Sequence, residues 1–148
     1  MLFTTCVLVS LLGLTSAAPS SLVPRAEGRQ IKLKGTEKCL YAPYPTYSVS
    51  AELSLVKCEG TPQPPKWNVG GEITFSDDQS GSSASLVVLG ETTVPAVQIS
   101  TTLTKTTKTA WEYADQKINL AAADLCLTAG AGVTLQPCKG DQQEWELV

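Results

Sequence analysis

The chain has 148 residues, with 11 basic and 14 acidic side chains, no histidine and a formal net charge of −3. A mildly acidic balance without a basic stripe gives no attraction to nucleic acid. The missing imidazole removes the usual base of Ser-His and Cys-His catalysis.

Leu2 to Leu14 is uncharged and almost wholly apolar or small, and the small residues TSAA follow it. That is the layout of a secretory signal, so residues 1–18 are expected to be removed, leaving a secreted protein with no membrane span. Cys6 leaves with the signal. Residues 19–29 hold Pro, Ser and Gly without apolar alternation and read as a flexible N-terminal arm, with Arg25 and Arg29 as candidate processing sites. The folded domain is expected to span 30–148.

Within it, short apolar runs rich in β-branched residues are divided by Gly, Pro and Ser, as in ELSLVKC, LVVLG, VPAVQIS and VTLQPC. No window carries an apolar stripe at helical spacing, so the chain is expected to be all-β with many short strands. IKLKGTEKCL begins at Ile31 and INLAAADLCL at Ile118, both following I-x-L-x5-C-L. Between them, Ile73 and Phe75 copy the start of the pattern, and Leu86 is placed where the others have cysteine. LSLVKC, VQISTT and VTLQPC match as second halves, with Thr102 in the place of Cys58 and Cys138. A tryptophan closes each segment: Trp67, Trp111 and Trp145.

Three pseudo-symmetric units of about four short strands each are therefore expected, at 31–69, 72–113 and 117–148. One such unit cannot bury its apolar face alone, whereas three around an axis share a core, and the three Trp are expected to fill it. Of the three possible pairings of Cys39, Cys58, Cys126 and Cys138, the local ones (Cys39 with Cys58, Cys126 with Cys138) fit best, because the two pairs lie far apart in sequence. Zinc is the poorer account, since no tight CxxC pair or histidine is present and no metal site is expected. The second unit lacks its staple and is expected to be the softest. Its TTLTKTTKT run reads as a solvated strand and turn, with an O-glycosylated segment as the alternative.

These residues resemble the ricin B-type lectin family, whose hallmark is a repeated C-L-D … V-Q-L-W-x-C … N-Q-x-W unit. The third unit is the clearest copy, with LCLTA at 125–129, VTLQPC at 133–138 and QQEW at 142–145. The resemblance implies a β-trefoil, in which three hairpins make a short barrel and three cap it, and it implies carbohydrate binding. In the family the Asp after C-L anchors sugar hydroxyls, an aromatic two residues before the second Cys stacks on the sugar, and an Asn before Q-x-W adds a bond. Here those places hold Thr128, Gln136 and Gln142 in the third unit, and Tyr41, Val56 and Pro64 in the first. In the second they hold Val88, Ser100 and Lys108. The Gln of Q-x-W survives only as Gln143, with Pro65 and Thr109 in the other copies.

The sugar site is accordingly expected to be altered or weak, with Thr128, Gln136 and Gln142 as its polar candidates. YAPYPTY offers a second candidate, placing Tyr41, Tyr44 and Tyr47 in a loop stiffened by Pro43 and Pro45, fit for stacking on a glycan or pressing on a protein. No enzymatic activity and no cofactor are expected. The neighbouring Asp77 and Asp78 would point to opposite sides of an extended chain, and a Gly/Ser-rich loop holds no fixed acid-base geometry. The leading expectation is a secreted carbohydrate-binding module. The alternative is a protein-binding trefoil, such as a protease inhibitor or a secreted host-directed factor.

Overall fold

A computed structural model of the chain describes residues 25–43, 50–76, 83–89, 96–100, 110–121 and 123–148. The signal segment, Tyr44, Tyr47, Asp77, Asp78, Thr102, Lys108 and the Thr-rich run lie outside these residues.

The first third of the chain forms β1 (Ala26–Arg29), β2 (Ile31–Leu33), β3 (Lys38–Tyr41), β4 (Ser50–Glu52), β5 (Ser54–Lys57) and β6 (Trp67–Val69). The middle forms β7 (Ile73–Ser76), β8 (Ser83–Leu89), β9 (Ala96–Ser100) and β10 (Trp111–Ala114). The last third forms β11 (Lys117–Leu120), β12 (Leu125–Ala129), β13 (Val133–Pro137) and β14 (Trp145–Leu147), with a 3-10 turn at Asp141–Gln143. The architecture is all-β, and each of these pairings is antiparallel. One sheet runs β1-β6-β7-β8-β9-β13-β12-β11-β10, with β4 also on β9, and the other runs β14-β2-β3-β5. Gln30, between β1 and β2, exchanges both backbone bonds with Val148 at 2.8 and 3.0 Å, so the two ends of the domain are tied together.

The pairing registers bring out a common plan. Lys32, Thr74 and Asn119, each one residue past an Ile, lie opposite Cys39, Ser85 and Cys126. Those three in turn lie opposite Val56, Ser100 and Gln136. Two residues ahead of each Ile, Arg29 lies opposite Trp67, while Gly71 and Gln116 accept the backbone N–H of Trp111 and Trp145 at 2.9 and 2.6 Å.

Alternation along each strand then sends one set of side chains inward. Ile31, Ile73 and Ile118 are fully buried, as are Leu40, Leu86 and Leu127. Leu33, Phe75 and Leu120 add to them, and Ala42, Val88 and Ala129 fill the narrower places. The three indoles lie in this core, and two of them find carbonyl acceptors. Trp111 Nε1 donates to Leu86 O at 2.9 Å and Trp145 Nε1 to Leu127 O at 3.0 Å. Among the described residues Trp67 Nε1 has no hydrogen-bond partner. Its ring instead meets the edge of Phe75, with centroids 4.9 Å apart.

Both expected disulfides are formed, Cys39–Cys58 and Cys126–Cys138. Two expectations need correction. The residue in the cysteine's place in the middle segment is Ser85, not Leu86, because Ser85 holds the register of Cys39 and Cys126 while Leu86 continues the buried Leu40 and Leu127 series. Consequently Val87, not Val88, matches Tyr41 and Thr128. Further, the arm does not extend to residue 29. Ala26–Arg29 is a strand on β6, bent by an irregularity at Gly28, whose φ of +63° a side chain would oppose and whose N–H is taken by Asn68 Oδ1 at 3.0 Å.

Candidate binding surface

The β12–β13 hairpin separates its residues cleanly by face. Leu127, Ala129, Val133 and Leu135 enter the core. Cys126 and Thr128 lie on the other face, opposite Gln136 and Thr134 respectively. The fold thus brings Thr128 and Gln136 to one surface, as a site there requires. Their availability differs, however. Gln136 is exposed, with its amide 3.5 Å from Thr134 Oγ1. Thr128 is buried, donates its hydroxyl proton to Cys126 O at 2.9 Å and accepts from Gln143 Nε2 at 2.9 Å. Its one proton is committed within the fold.

Gln143 organises this region. It is 1% exposed, and besides Thr128 its amide donates to Pro137 O at 2.8 Å while its Oε1 accepts from Gly140 N at 3.0 Å. The 3-10 turn that contains it is thereby pinned to the hairpin beside the Cys126–Cys138 tie. Gln142, its neighbour on the same turn, points to solvent. In the sequence, Gln143 reads only as a surviving motif letter, and Thr128, Gln136 and Gln142 read as the third unit's polar candidates. A lone Gln two residues before a core Trp is the available signal that its amide is buried and bonded.

On the β3–β5 hairpin, Tyr41 occupies the place of Thr128 and lies opposite Ser54, next to Cys39 opposite Val56. Leu40 and Ala42 flank it on the inward side. Tyr41 is half-buried, on a strand tied by the Cys39–Cys58 bond. Pro64 is buried, and Pro65 is partly so. On the β8–β9 hairpin the matching place is Val87, fully buried, which offers no polar group to a ligand.

A charged cluster joins the two ends of the domain. Lys34 Nζ lies 2.7 Å from Glu144 Oε2 and donates to Gln116 Oε1 at 2.8 Å. The hydrogen bond between Lys34 and Glu144 raises the Lys34 pKa and lowers that of Glu144. Nearby, Tyr113 donates its hydroxyl to Trp145 O at 3.0 Å, and burial, helped by the Glu146 charge, pushes its pKa up.

Among the described residues no group of three or more His, Cys, Asp or Glu is placed to hold a metal ion, and no helix is long and apolar enough to cross a membrane. No family model matches the chain, and no curated protein matches it.

Proposed function

We propose that the chain is a secreted β-trefoil, ricin B-like in plan, that binds carbohydrate on the outer face of its first hairpin, with Tyr41 as the stacking ring. The common register of Lys32–Cys39, Thr74–Ser85 and Asn119–Cys126 supports a triplicated unit. Two disulfides support an oxidising, extracellular setting.

The observation that carries the ligand reading is the placement of Tyr41. It puts a partly exposed tyrosine opposite a hydroxyl-bearing residue, Ser54, on a covalently tied hairpin. A sugar is held by an apolar ring face against its C–H bonds together with a few fixed polar groups, and a rigid strand supplies both with little ordering entropy. Gln136 and Gln142 add exposed amides on the third unit, but Thr128 has no proton left to offer a ligand there.

Binding to a glycan array tests the reading. The expected result is binding that Tyr41→Ala removes while the far-UV circular dichroism spectrum stays that of the folded chain, and that the Gln136→Ala/Gln142→Ala pair leaves largely intact. Silence across the array, or binding indifferent to Tyr41→Ala, overturns it.

A further inference from the structure

Away from both hairpins, the turn between β6 and β7 borders a groove of about 320 Å³ lined by Arg25, Asn68, Gly70, Gly71, Glu72 and Thr74. Its size lies at the lower end of the roughly 300–1,000 Å³ range of small-molecule sites. Asn68 and Thr74 lie directly opposite each other in the ladder. The turn's backbone is already occupied in part, since Gly70 N donates to Glu72 O at 3.0 Å and Gly71 O accepts from Trp111 N at 2.9 Å. The side chains of Arg25, Asn68, Glu72 and Thr74 add their own polar groups to the groove.

Their chemistry is mixed. Asn68 Oδ1 accepts from Gly28 N at 3.0 Å, which fixes the amide and leaves its NH2 group to donate. Arg25 adds further N–H donors, its Nε lying 3.4 Å from Glu27 Oε1 on the surface. Glu72 offers acceptors only, and Thr74 offers one donor and two lone pairs. Each candidate ligand class meets this set differently. A phosphate would be repelled by Glu72, and a metal cation would find a single carboxylate beside a guanidinium. An apolar ligand would find no apolar side chain among the described lining residues. A hydroxyl both donates and accepts, so a polyhydroxylated neutral molecule satisfies both kinds of group at once.

We propose that this groove is a second carbohydrate site, sized for one neutral monosaccharide unit and distinct from the Tyr41 face. The choice of ligand class rests on the carbohydrate reading above. With no aromatic ring among the described lining residues, the groove binds weakly, on the order of millimolar. Its use is to add a second contact on one module, raising the avidity for a glycan that presents several sugars.

The test is an amide-shift titration of the full secreted chain, labelled with nitrogen-15, using the methyl glycosides of glucose, galactose, mannose and N-acetylglucosamine, with alanine as a zwitterionic control. One or more sugars should move the amides of residues 68–74. Thr74→Val, which keeps the β-branched shape, should weaken that response roughly tenfold, and Glu72→Gln should weaken it too, with the rest of the spectrum unchanged. Shifts at the Tyr41 hairpin alone overturn the groove and leave the first site standing. Shifts at the groove alone retain it and overturn the Tyr41 site. Groove shifts that survive Thr74→Val, groove shifts from alanine in place of sugars, or no shifts at all, overturn the proposal.

Discussion

Gln143 donates its side-chain amide to Thr128 Oγ1 at 2.9 Å, and both partners are buried. That bond belongs to a set of three, since the same glutamine also bonds Pro137 O and Gly140 N. Gln143→Ala leaves several polar groups without partners beside the second disulfide, and a buried unsatisfied group costs about 1–3 kcal/mol. The substitution is expected to destabilise the fold by roughly 2–4 kcal/mol in urea unfolding. Gln142→Ala, one residue earlier and exposed, should change it by less than about 0.5 kcal/mol. Equal effects would show that the 3-10 turn is not anchored through the Gln143 amide.

The three tryptophans share a burial class but not a bonding state. Replacing Trp111 or Trp145 with Phe removes ring volume and also a donor from Leu86 O or Leu127 O. Replacing Trp67 removes volume alone, because its N–H has no partner among the described residues. Trp67→Phe is therefore expected to be milder than the other two by about 1 kcal/mol, the net worth of a typical hydrogen bond. Denaturant midpoints of the three single variants decide it, and Trp67→Phe as the most damaging of them would contradict the structure.

How much of this arrangement is legible in the sequence depends on alternation. In IKL and INL a polar residue separates two apolar ones, and the inward pairs Ile31 with Leu33 and Ile118 with Leu120 follow from the period of the pattern alone. In SASLVVL four apolar residues run together, both Leu86 and Val87 are fully buried, and the period-two signal loses its phase. The pattern therefore points to Leu86 as the cysteine's counterpart, whereas Ser85 holds that register. Strand β1 is hidden for a different reason. AEGR has no apolar alternation, and its pairing to β6 depends on a positive-φ glycine and the distant Asn68 side chain. On the candidate surface, the repeat pattern brings Thr128 and Gln136 to one face but carries no sign that the Thr128 hydroxyl is consumed by Cys126 O and Gln143.

The two disulfides should contribute comparably. Cys39–Cys58 spans 19 positions and Cys126–Cys138 spans 12. Loop-closure entropy grows only slowly with length, giving roughly 3 kcal/mol for either. The Cys39→Ser/Cys58→Ser and Cys126→Ser/Cys138→Ser double variants are each expected to lose about 2–4 kcal/mol in urea unfolding. A loss below about 1 kcal/mol for either pair would show that this tie contributes little beyond what the surrounding ladder already holds.

Charge supplies the remaining prediction, and the sign differs at the two ends of the pH scale. Glu144 has a lowered pKa, chiefly through its hydrogen bond to Lys34. The folded state therefore favours the carboxylate, and the contribution is present above the unfolded pKa, near 4.5, and lost as pH falls through the folded value. Lys34 has a raised pKa, so its share is complete below the unfolded value near 10.5 and disappears as pH rises through the folded one. Tyr113 acts in the same alkaline direction. Burial raises its pKa above the usual 10.0, so the fold favours the neutral phenol, and ionisation also ends its donation to Trp145 O. Urea unfolding across pH should show the stability gap between the chain and its Glu144→Gln variant flat from about pH 5 to 9 and closing at both extremes. Tyr113→Phe should close part of the alkaline fall while leaving the acid side as it was. Because Lys34 and Glu144 are nearly half exposed, added salt should shrink the Glu144 effect. The Tyr113 effect, rooted mainly in burial, should persist in salt. A Glu144→Gln gap that widens toward acid would reverse the assigned sign.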